Sequence, residues 1–262
     1  MKKRGWLCFF FLAGLAQAQT VSRVLIAEIP MQADRFVGVD DYTCVYYTVD
    51  EVLYKESNGE TLRYTNLQLG RIGNVDILDP LEITVFYPDF NTVIKLDNTL
   101  NEIVKIDFNR PERFRNVRYA TTANDKNLWI FNSDLQQLEI FNYKTGEVIP
   151  VNRPLDEEVI DQKSNYNFCR LLTRTALFTY NIYGSLLSVT PAEDYGAFSQ
   201  SGAHIVLKKD KMLFYMREGS GRAMPLKIPE IHLKDFYING NNLYIYEGKK
   251  LYQYQLNFSK KE

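Results

Sequence analysis

The 262-residue chain carries 31 Lys and Arg against 32 Asp and Glu, so its formal charge at pH 7 is −1. The chain therefore lacks the excess of basic residues expected of a protein that binds nucleic acid or an anionic membrane. Hydrophobic residues make up 45% of the chain and aromatic residues 14%, with 18 Tyr and 16 Phe. Because Tyr and Phe favour strands and fill space between sheets, the composition suits a single β-rich domain.

The first 18 residues have the three parts of a secretion signal. Residues 2–4 (KKR) are positive, residues 6–15 are mainly apolar, and residues 16–18 (AQA) form a small-x-small cleavage site. We expect cleavage after Ala18, which removes three positive charges and takes the formal charge from −1 to −4. The apolar run is too short to span a bilayer. The pattern predicts a soluble exported protein with one mature domain, residues 19–262, and no direct membrane insertion.

Apolar β-rich runs recur in six units along the chain. In the unit at residues 83–108 (ITVFYPDFNTVIKLDNTLNEIVKIDF), turn-formers at positions 88–89 and 97–98 separate three runs. The first runs of the six units begin at Cys44, Ile83, Leu128, Phe168, Ile205 and Leu243, so the units start 37 to 45 residues apart. A period near 40 residues with several strands per unit is typical of propeller blades. We therefore predict an all-β, six-bladed β-propeller; a sandwich or a long meander is the alternative.

The last unit indicates how the ring closes. It offers runs at residues 236–238, 243–246 and 251–256, one strand short of a four-stranded blade. Residues 21–29 (VSRVLIAEI) form a β-rich run that belongs to no later unit. We expect this N-terminal strand to complete the last blade, which would leave no open seam in the ring.

Two cysteines, Cys44 and Cys169, remain after cleavage. Export permits a disulfide. However, the two residues belong to the first and fourth units, which lie opposite each other in a six-membered ring, and a disulfide needs Cα atoms within about 7 Å. Two buried free thiols are predicted.

Residues that could carry catalysis or bind metal are few and scattered. His204 and His232 have no second nitrogen ligand at metal-binding spacing, so structural roles are expected. Residues 219–222 (GSGR) lack the Lys-Ser/Thr of a phosphate loop and predict a hairpin turn. Acidic turns without calcium-loop spacing are predicted at Asp40, Asp41, Asp156, Glu157, Glu158 and Asp161. We predict no catalytic, cofactor-binding or metal-binding residue, and no cofactor.

Two polar segments are predicted to be loops. Residues 110–118 (RPERFRNVR) contain four Arg, and Glu112 interrupts them. We interpret them as a solvated turn between blades, with contact to an acidic partner as the alternative. Residues 152–166 form the longest polar segment and are predicted to be a surface loop.

Three segments carry a family resemblance: residues 64–80 (YTNLQLGRIGNVDILDP), 81–98 (LEITVFYPDFNTVIKLDN) and 178–189 (FTYNIYGSLLSV). With them the chain resembles a group of small exported β-propeller proteins of the Bacteroidota, and within that group the plug family of the type IX secretion translocon. The resemblance covers nearly the whole mature chain, but its motifs are structural and transfer no binding residue. It implies a periplasmic protein that blocks the inner opening of a giant outer-membrane β-barrel channel when no substrate occupies the channel.

The sequence thus favours a non-enzymatic, monomeric, protein-binding propeller that seals the periplasmic end of an outer-membrane type IX secretion channel, with a β-barrel translocon protein as partner and no nucleic acid. An envelope scaffold unrelated to secretion stays open. The alternative class is a carbohydrate-active or other ligand-binding propeller, because propellers can gather carboxylates at a central channel. Two or more carboxylates or a His in one central pocket would favour that alternative. An apolar channel with no such cluster, together with an aromatic or charged patch on one disc face, would favour partner binding.

Overall fold

The structure, a computed structural model, describes residues 21–229 and 231–258. The predicted signal segment, residues 1–18, lies outside the described residues. The described residues form 24 strands, which assemble into six four-stranded antiparallel sheets. These sheets are the blades of a six-bladed β-propeller, which confirms the predicted fold.

Strands are numbered in chain order, and β1 (Val21–Pro30) belongs to the last blade. Blade 1 contains β2 (Arg35–Val39), β3 (Val45–Val49), β4 (Val52–Ser57) and β5 (Glu60–Tyr64). Blade 2 contains β6 (Asn74–Asp76), β7 (Ile83–Tyr87), β8 (Thr92–Leu96) and β9 (Glu102–Asp107). Blade 3 contains β10 (Val117–Thr122), β11 (Asn127–Asn132), β12 (Gln137–Asn142) and β13 (Val148–Pro150).

Blade 4 contains β14 (Asp161–Ser164), β15 (Phe168–Leu172), β16 (Ala176–Asn181) and β17 (Leu186–Pro191). Blade 5 contains β18 (Ala197–Ser201), β19 (His204–Lys209), β20 (Met212–Arg217) and β21 (Met224–Leu226). Blade 6 contains β22 (Asp235–Asn239), β23 (Asn242–Tyr246) and β24 (Lys250–Phe258), with β1 as its fourth strand. In the described connections, short 3-10 turns occur at Leu67–Leu69, Pro88–Phe90 and Pro111–Arg113.

The ring closes through the N-terminal strand. β1 pairs antiparallel with β24, from Val21 opposite Phe258 to Pro30 opposite Lys250. The sheet order β1-β24-β23-β22 places β1 at the outer edge of blade 6. This confirms the predicted closure and extends the strand by one residue, to Pro30.

The middle strands of the blades supply the core. Every residue of β7 and β8 is buried, because neighbouring blades cover both faces of these strands. Burial on both faces produces a nearly continuous apolar run, which explains why the sequence repeat was visible there. The first apolar run of each unit is accordingly the second strand of its blade. Lys95 is buried in β8, where its ammonium donates to the Thr84 hydroxyl at 2.8 Å and to the Glu82 carbonyl at 3.1 Å.

One segment was predicted wrongly. Residues 152–166, expected to be a surface loop, contain β14, the innermost strand of blade 4. Asp161, expected in an acidic turn, is the first residue of that strand. The sequence of β14, DQKS, is polar because the strand lies at the central channel, and its buried Gln162 amide donates to the Thr121 hydroxyl at 2.9 Å. An inner strand whose polar side chains donate to the preceding blade leaves no hydrophobic signal.

Both cysteines are buried and free, as predicted. Cys169 lies in β15 of blade 4, and Cys44 directly precedes β3 of blade 1. Burial raises the pKa of the Cys169 thiol well above its ordinary value, which keeps this thiol protonated and unreactive.

Among the residues that the structure describes, no helix has the length and apolar character needed to cross a membrane.

Candidate functional site

The six inner strands surround a central cavity of about 790 Å³. The walls bear charges of both signs. The cations are Arg35, Arg71, Arg118, Lys163, Lys208 and Lys234, and the carboxylates are Asp40, Asp41, Asp76, Asp161 and Asp235. Neither His204 nor His232 lines this cavity.

Neighbouring inner strands run in the same direction around the channel. Hydrogen bonds join the beginning of one strand to the beginning of the next, as between Asp161 of β14 and Phe198 of β18. One face of the disc therefore carries the starts of the inner strands and the other carries their ends; we call them the start face and the end face. Arg35 and Lys234 lie at the start face, whereas Asp41 and Asp76 lie at the end face. Asp161 and Asp235, the first residues of their strands, also lie at the start face, so that mouth carries charges of both signs.

Three channel carboxylates tie adjacent blades together. Asp76 accepts the backbone N–H of Thr122 at 2.7 Å, and Asp161 accepts that of Phe198 at 3.1 Å. The third tie joins Asp235 of blade 6 to the backbone N–H of Phe36 in blade 1. These bonds satisfy inner-strand amides where no neighbouring strand of the same sheet is available.

The second oxygens of Asp76 and Asp161 also accept hydrogen bonds, whereas that of Asp235 accepts none among the described residues. The second oxygen of Asp76 accepts the Leu78 N–H at 3.0 Å, and that of Asp161 accepts the Gln162 N–H at 2.9 Å and lies 3.3 Å from the Lys163 ammonium. Asp40 accepts the Cys44 N–H and the Tyr46 hydroxyl, both at 2.9 Å, which confirms its predicted place in a structural turn. Acid–base catalysis needs a carboxylate that is free to exchange a proton with substrate. The fully bonded carboxylates of Asp40, Asp76 and Asp161 do not meet that need.

His204 has a structural role, as predicted. It is the first residue of β19, and its Nδ1 lies 2.8 Å from the Tyr215 hydroxyl. Its ring stacks on Phe258 with centroids 4.0 Å apart. Burial, together with the positive charge of Arg217, lowers the pKa of His204 below its ordinary value. The imidazole therefore serves as a neutral packing element between blades 5 and 6.

The predicted hairpin at residues 219–222 is confirmed, since it connects the antiparallel strands β20 and β21. His232 is exposed in the connection that leads to β22. Across residues 21–229 and 231–258, no group of three or more His, Cys, Asp or Glu is placed to hold a metal ion.

Four exposed apolar side chains lie on connections of the start face, around blades 2 and 3. Leu67 is 82% exposed, and Phe90, Phe114 and Leu135 are 48 to 50% exposed. All four occupy connections at this end of the blades rather than strands. We call this set, together with Arg71 and Arg115, the start-face band.

Hydrogen bonds hold the connections of the start-face band together. The Asn91 side-chain amide donates to the Arg115 carbonyl at 2.6 Å, and the Asn109 amide donates to the Phe90 carbonyl at 2.8 Å. Asn116 donates to the carboxylate of Asp134, next to Leu135, at 2.7 Å. The apolar side chains are therefore presented on loops that are already ordered.

The basic segment 110–118 forms part of this band. It connects β9 to β10, which confirms the predicted turn between blades. Arg115 lies 2.9 Å from Glu139, and Arg118 lies 2.6 Å from Glu158. Two of its arginines are thus paired within the protein. Sequence reasoning located the segment but missed the apolar side chains beside it; Leu67, Phe90 and Phe114 within polar turn segments were the available signal.

No family model matches the chain, and no curated protein matches its sequence. Solved structures do match its fold. Virginiamycin B lyase from Staphylococcus aureus is 11% identical over 90% of this chain and 100% of that chain, with a TM-score of 0.61. BamB from Moraxella catarrhalis is 10% identical over 92% of this chain and 100% of that chain, with a TM-score of 0.55.

A third similar structure is PorZ of Porphyromonas gingivalis, an essential bacterial surface component of the type IX secretion system. It is 11% identical over 89% of this chain but only 39% of that chain, with a TM-score of 0.50. At these identities the likenesses establish the propeller fold alone. They include both an enzyme and a secretion component, so the choice between these functions depends on the site.

Proposed function

We propose that the protein is a non-enzymatic, periplasmic, protein-binding propeller that serves as a plug or accessory subunit at the periplasmic end of an outer-membrane type IX secretion channel. The start-face band carries this proposal. The end face also exposes apolar side chains, at Tyr42, Leu81 and Tyr183, but those of the start-face band lie on connections that hydrogen bonds join to one another. Neighbouring exposed apolar side chains are a common mark of a protein-interaction site. The family resemblance of residues 64–98 and 178–189, and the fold shared with PorZ, supply the secretion context.

The composition of the band suits a protein partner. Aromatic residues and Arg are enriched at protein interfaces, where a few such anchors contribute most of the affinity. Phe90, Phe114 and the guanidiniums of Arg71 and Arg115 provide anchors of this kind. Because hydrogen bonds already order the loops, binding would lose little conformational entropy.

Features of the central channel argue against an acid–base enzyme. Asp40, Asp76 and Asp161 use both oxygens in structural hydrogen bonds, and His204 packs against Phe258 outside the cavity. Five carboxylates line the channel, which by number favours the ligand-binding alternative, but these three are engaged through both oxygens in blade-to-blade or turn contacts. Asp41 and Asp235 each accept one hydrogen bond within the described part of the chain.

The decisive experiment is gentle detergent extraction of the native envelope, followed by purification on a C-terminal tag. Wild type is expected to recover a very large outer-membrane β-barrel. A triple variant of the band, with Leu67→Ser, Phe90→Ser and Phe114→Ser, should recover at least about tenfold less, because loss of even one hot-spot anchor costs about 2 kcal/mol or more. The matched control replaces three exposed apolar residues of the end face: Tyr42→Ser, Leu81→Ser and Tyr183→Ser.

Recovery of the wild-type protein as a free monomer would overturn the proposal. Equal recovery of the barrel by the band variant and the control would show that the start face is not the contact surface. The same preparation tests the proposed export: a mature N-terminus at Gln19, measured by mass spectrometry, is expected from cleavage after Ala18.

The second candidate function is a ligand-binding or carbohydrate-active propeller. The 790 Å³ cavity and the fold shared with virginiamycin B lyase favour it. A glycan screen against the purified chain tests it. Saturable binding that is lost on substitution of channel residues, and kept in the band variant, would favour this function over partner binding.

A further inference from the structure

Three cations at the start-face mouth of the channel form no ion pair in the described part of the chain: Arg35, Lys208 and Lys234. The other channel cations are paired. Arg71 lies 3.4 Å from Asp89, Arg118 lies 2.6 Å from Glu158, and Lys163 lies 3.3 Å from Asp161. The three unpaired cations therefore concentrate positive charge at one mouth.

Arg35 has unused hydrogen-bonding capacity. Its Nη1 donates to the Gly73 carbonyl at 2.8 Å, whereas its Nη2 is buried and has no hydrogen-bond partner. A buried donor left unsatisfied is costly, and it often indicates an ion or ligand that binds there. Guanidinium groups match carboxylate and phosphate oxygens in geometry and charge.

The two lysines also keep free donors. Lys208 donates to the carbonyls of Leu233 and Lys234 at 3.3 and 3.1 Å, and Lys234 donates to the Ala33 carbonyl at 3.1 Å. Each ammonium has three N–H donors, so at least one remains on Lys208 and two remain on Lys234. These bonds hold the lysines at the mouth without neutralising them.

Two nearby carboxylates act on this cluster, and both are engaged with backbone. Asp235, which feels the charges of Arg35, Lys208 and Lys234, accepts the Phe36 N–H at 3.0 Å. Glu51, which feels the charge of Arg35, accepts the Ile72 N–H at 2.6 Å. Three cations face two carboxylates, so the mouth retains an excess of positive charge.

We propose that Arg35, Lys208 and Lys234 form an oxyanion-binding site, which takes the carboxylate or phosphate group of a ligand that enters the central channel from the start face. The site is separate from the start-face band and does not depend on the proposed plug function. A free small molecule and an acidic segment of a polypeptide carry the same group, and binding measurements distinguish them.

The test is isothermal titration calorimetry of the mature chain at low salt with three probes: inorganic phosphate, succinate and a tetraglutamate peptide. At least one probe should bind with a Kd of about 1 mM or tighter. Arg35→Gln and Lys208→Gln should each weaken that binding about tenfold, as expected for loss of one charge-assisted hydrogen bond. The matched control is Lys211→Gln, which removes an exposed charge from the turn between β19 and β20 on the same face and should change Kd less than about twofold.

Binding of phosphate or succinate would identify a free small-molecule oxyanion as the ligand class, and binding of the peptide alone would identify a polypeptide carboxylate. Failure of all three probes to bind wild type would overturn the proposal. Equal affinity of wild type, Arg35→Gln and Lys208→Gln would also overturn it. Circular dichroism verifies that each variant is folded. Because none of these substitutions touches Leu67, Phe90 or Phe114, this result and the result of the pull-down are independent.

Discussion

The Asp235 carboxylate, in the innermost strand of the last blade, accepts a hydrogen bond from the backbone N–H of Phe36, in the innermost strand of the first blade, at 3.0 Å. The same contact recurs from Asp76 to Thr122 and from Asp161 to Phe198. A β-ladder connects strands within a blade, but these side chains connect the blades around the axis. The ring is therefore closed twice, at its outer edge by β1 and at its channel by Asp235.

Replacing Asp235 with Ala should lower the free energy of unfolding by about 1–3 kcal/mol, because the buried Phe36 N–H loses its acceptor. Asp235→Asn keeps an acceptor oxygen and should lose less. Urea denaturation measures both variants. Asp156→Ala, which removes an exposed carboxylate, should stay within about 0.5 kcal/mol of wild type. A loss of unfolding free energy in Asp235→Ala no larger than that of the control would contradict a structural role for the hydrogen bond between Asp235 and Phe36.

Gly38 should not tolerate a larger side chain. A Cβ at this position would lie 2.9 Å from the Tyr237 ring and 3.0 Å from Ile77, which is closer than normal contact. We expect Gly38→Ala to lower the free energy of unfolding by about 1–3 kcal/mol. Gly196→Ala is the matched control, because no atom lies within 4 Å of its added Cβ and the change should be near neutral.

A second substitution tests whether contact with Tyr237 is the reason that Gly38→Ala lowers stability. Adding Tyr237→Leu to Gly38→Ala removes the clashing ring, so the double variant should lose less stability than the sum of the two single losses. If the double variant loses the sum of the two single losses, contact with Tyr237 is not the reason for glycine at this position.

Removal of β1 should prevent folding. Without residues 21–30, the outer edge of β24 would be unpaired, and the buried side chains Leu251, Tyr254 and Leu256 would lose the cover of their neighbouring strand. An exposed apolar edge favours aggregation. We expect the deletion variant to elute as aggregate in size-exclusion chromatography, and a synthetic peptide of residues 21–30 added during refolding to increase the monomer fraction. A monodisperse deletion variant with native circular dichroism would show that β1 is dispensable.

The fold could be predicted because the middle strands of each blade are buried on both faces. Runs such as ITVFY in β7 and TVIKL in β8 repeat along the chain with a period that few other folds share. The inner strands were harder to recognise. β14 reads DQKS, and its Gln162 amide donates to the Thr121 hydroxyl of the preceding blade, so its polarity resembles that of a loop.

The candidate sites could not be predicted from the sequence and were recognised only in the three-dimensional structure. Leu67, Phe90 and Phe114 are separated along the chain, and only the return of the chain to the start face after each blade brings their connections to the same face. Asp161 was predicted to lie in a turn because other acidic residues are near it in the sequence. Its role in the structure is to accept the Phe198 N–H of another blade. Contacts between residues distant in sequence leave no local pattern.

His204 should make stability depend on pH near neutrality. Burial beside Phe258, with the positive charge of Arg217, lowers its pKa in the folded state below the ordinary value of 6.5. The unfolded chain therefore binds a proton that the folded chain resists, so stability decreases as pH falls through about 6.5. His204→Gln removes this titration. In urea denaturation between about pH 8 and pH 5, wild type should lose more stability than His204→Gln. Parallel pH profiles for the two proteins would mean that His204 accepts a proton equally well in the folded and unfolded states, which its stacking on Phe258 and its hydrogen bond with Tyr215 oppose.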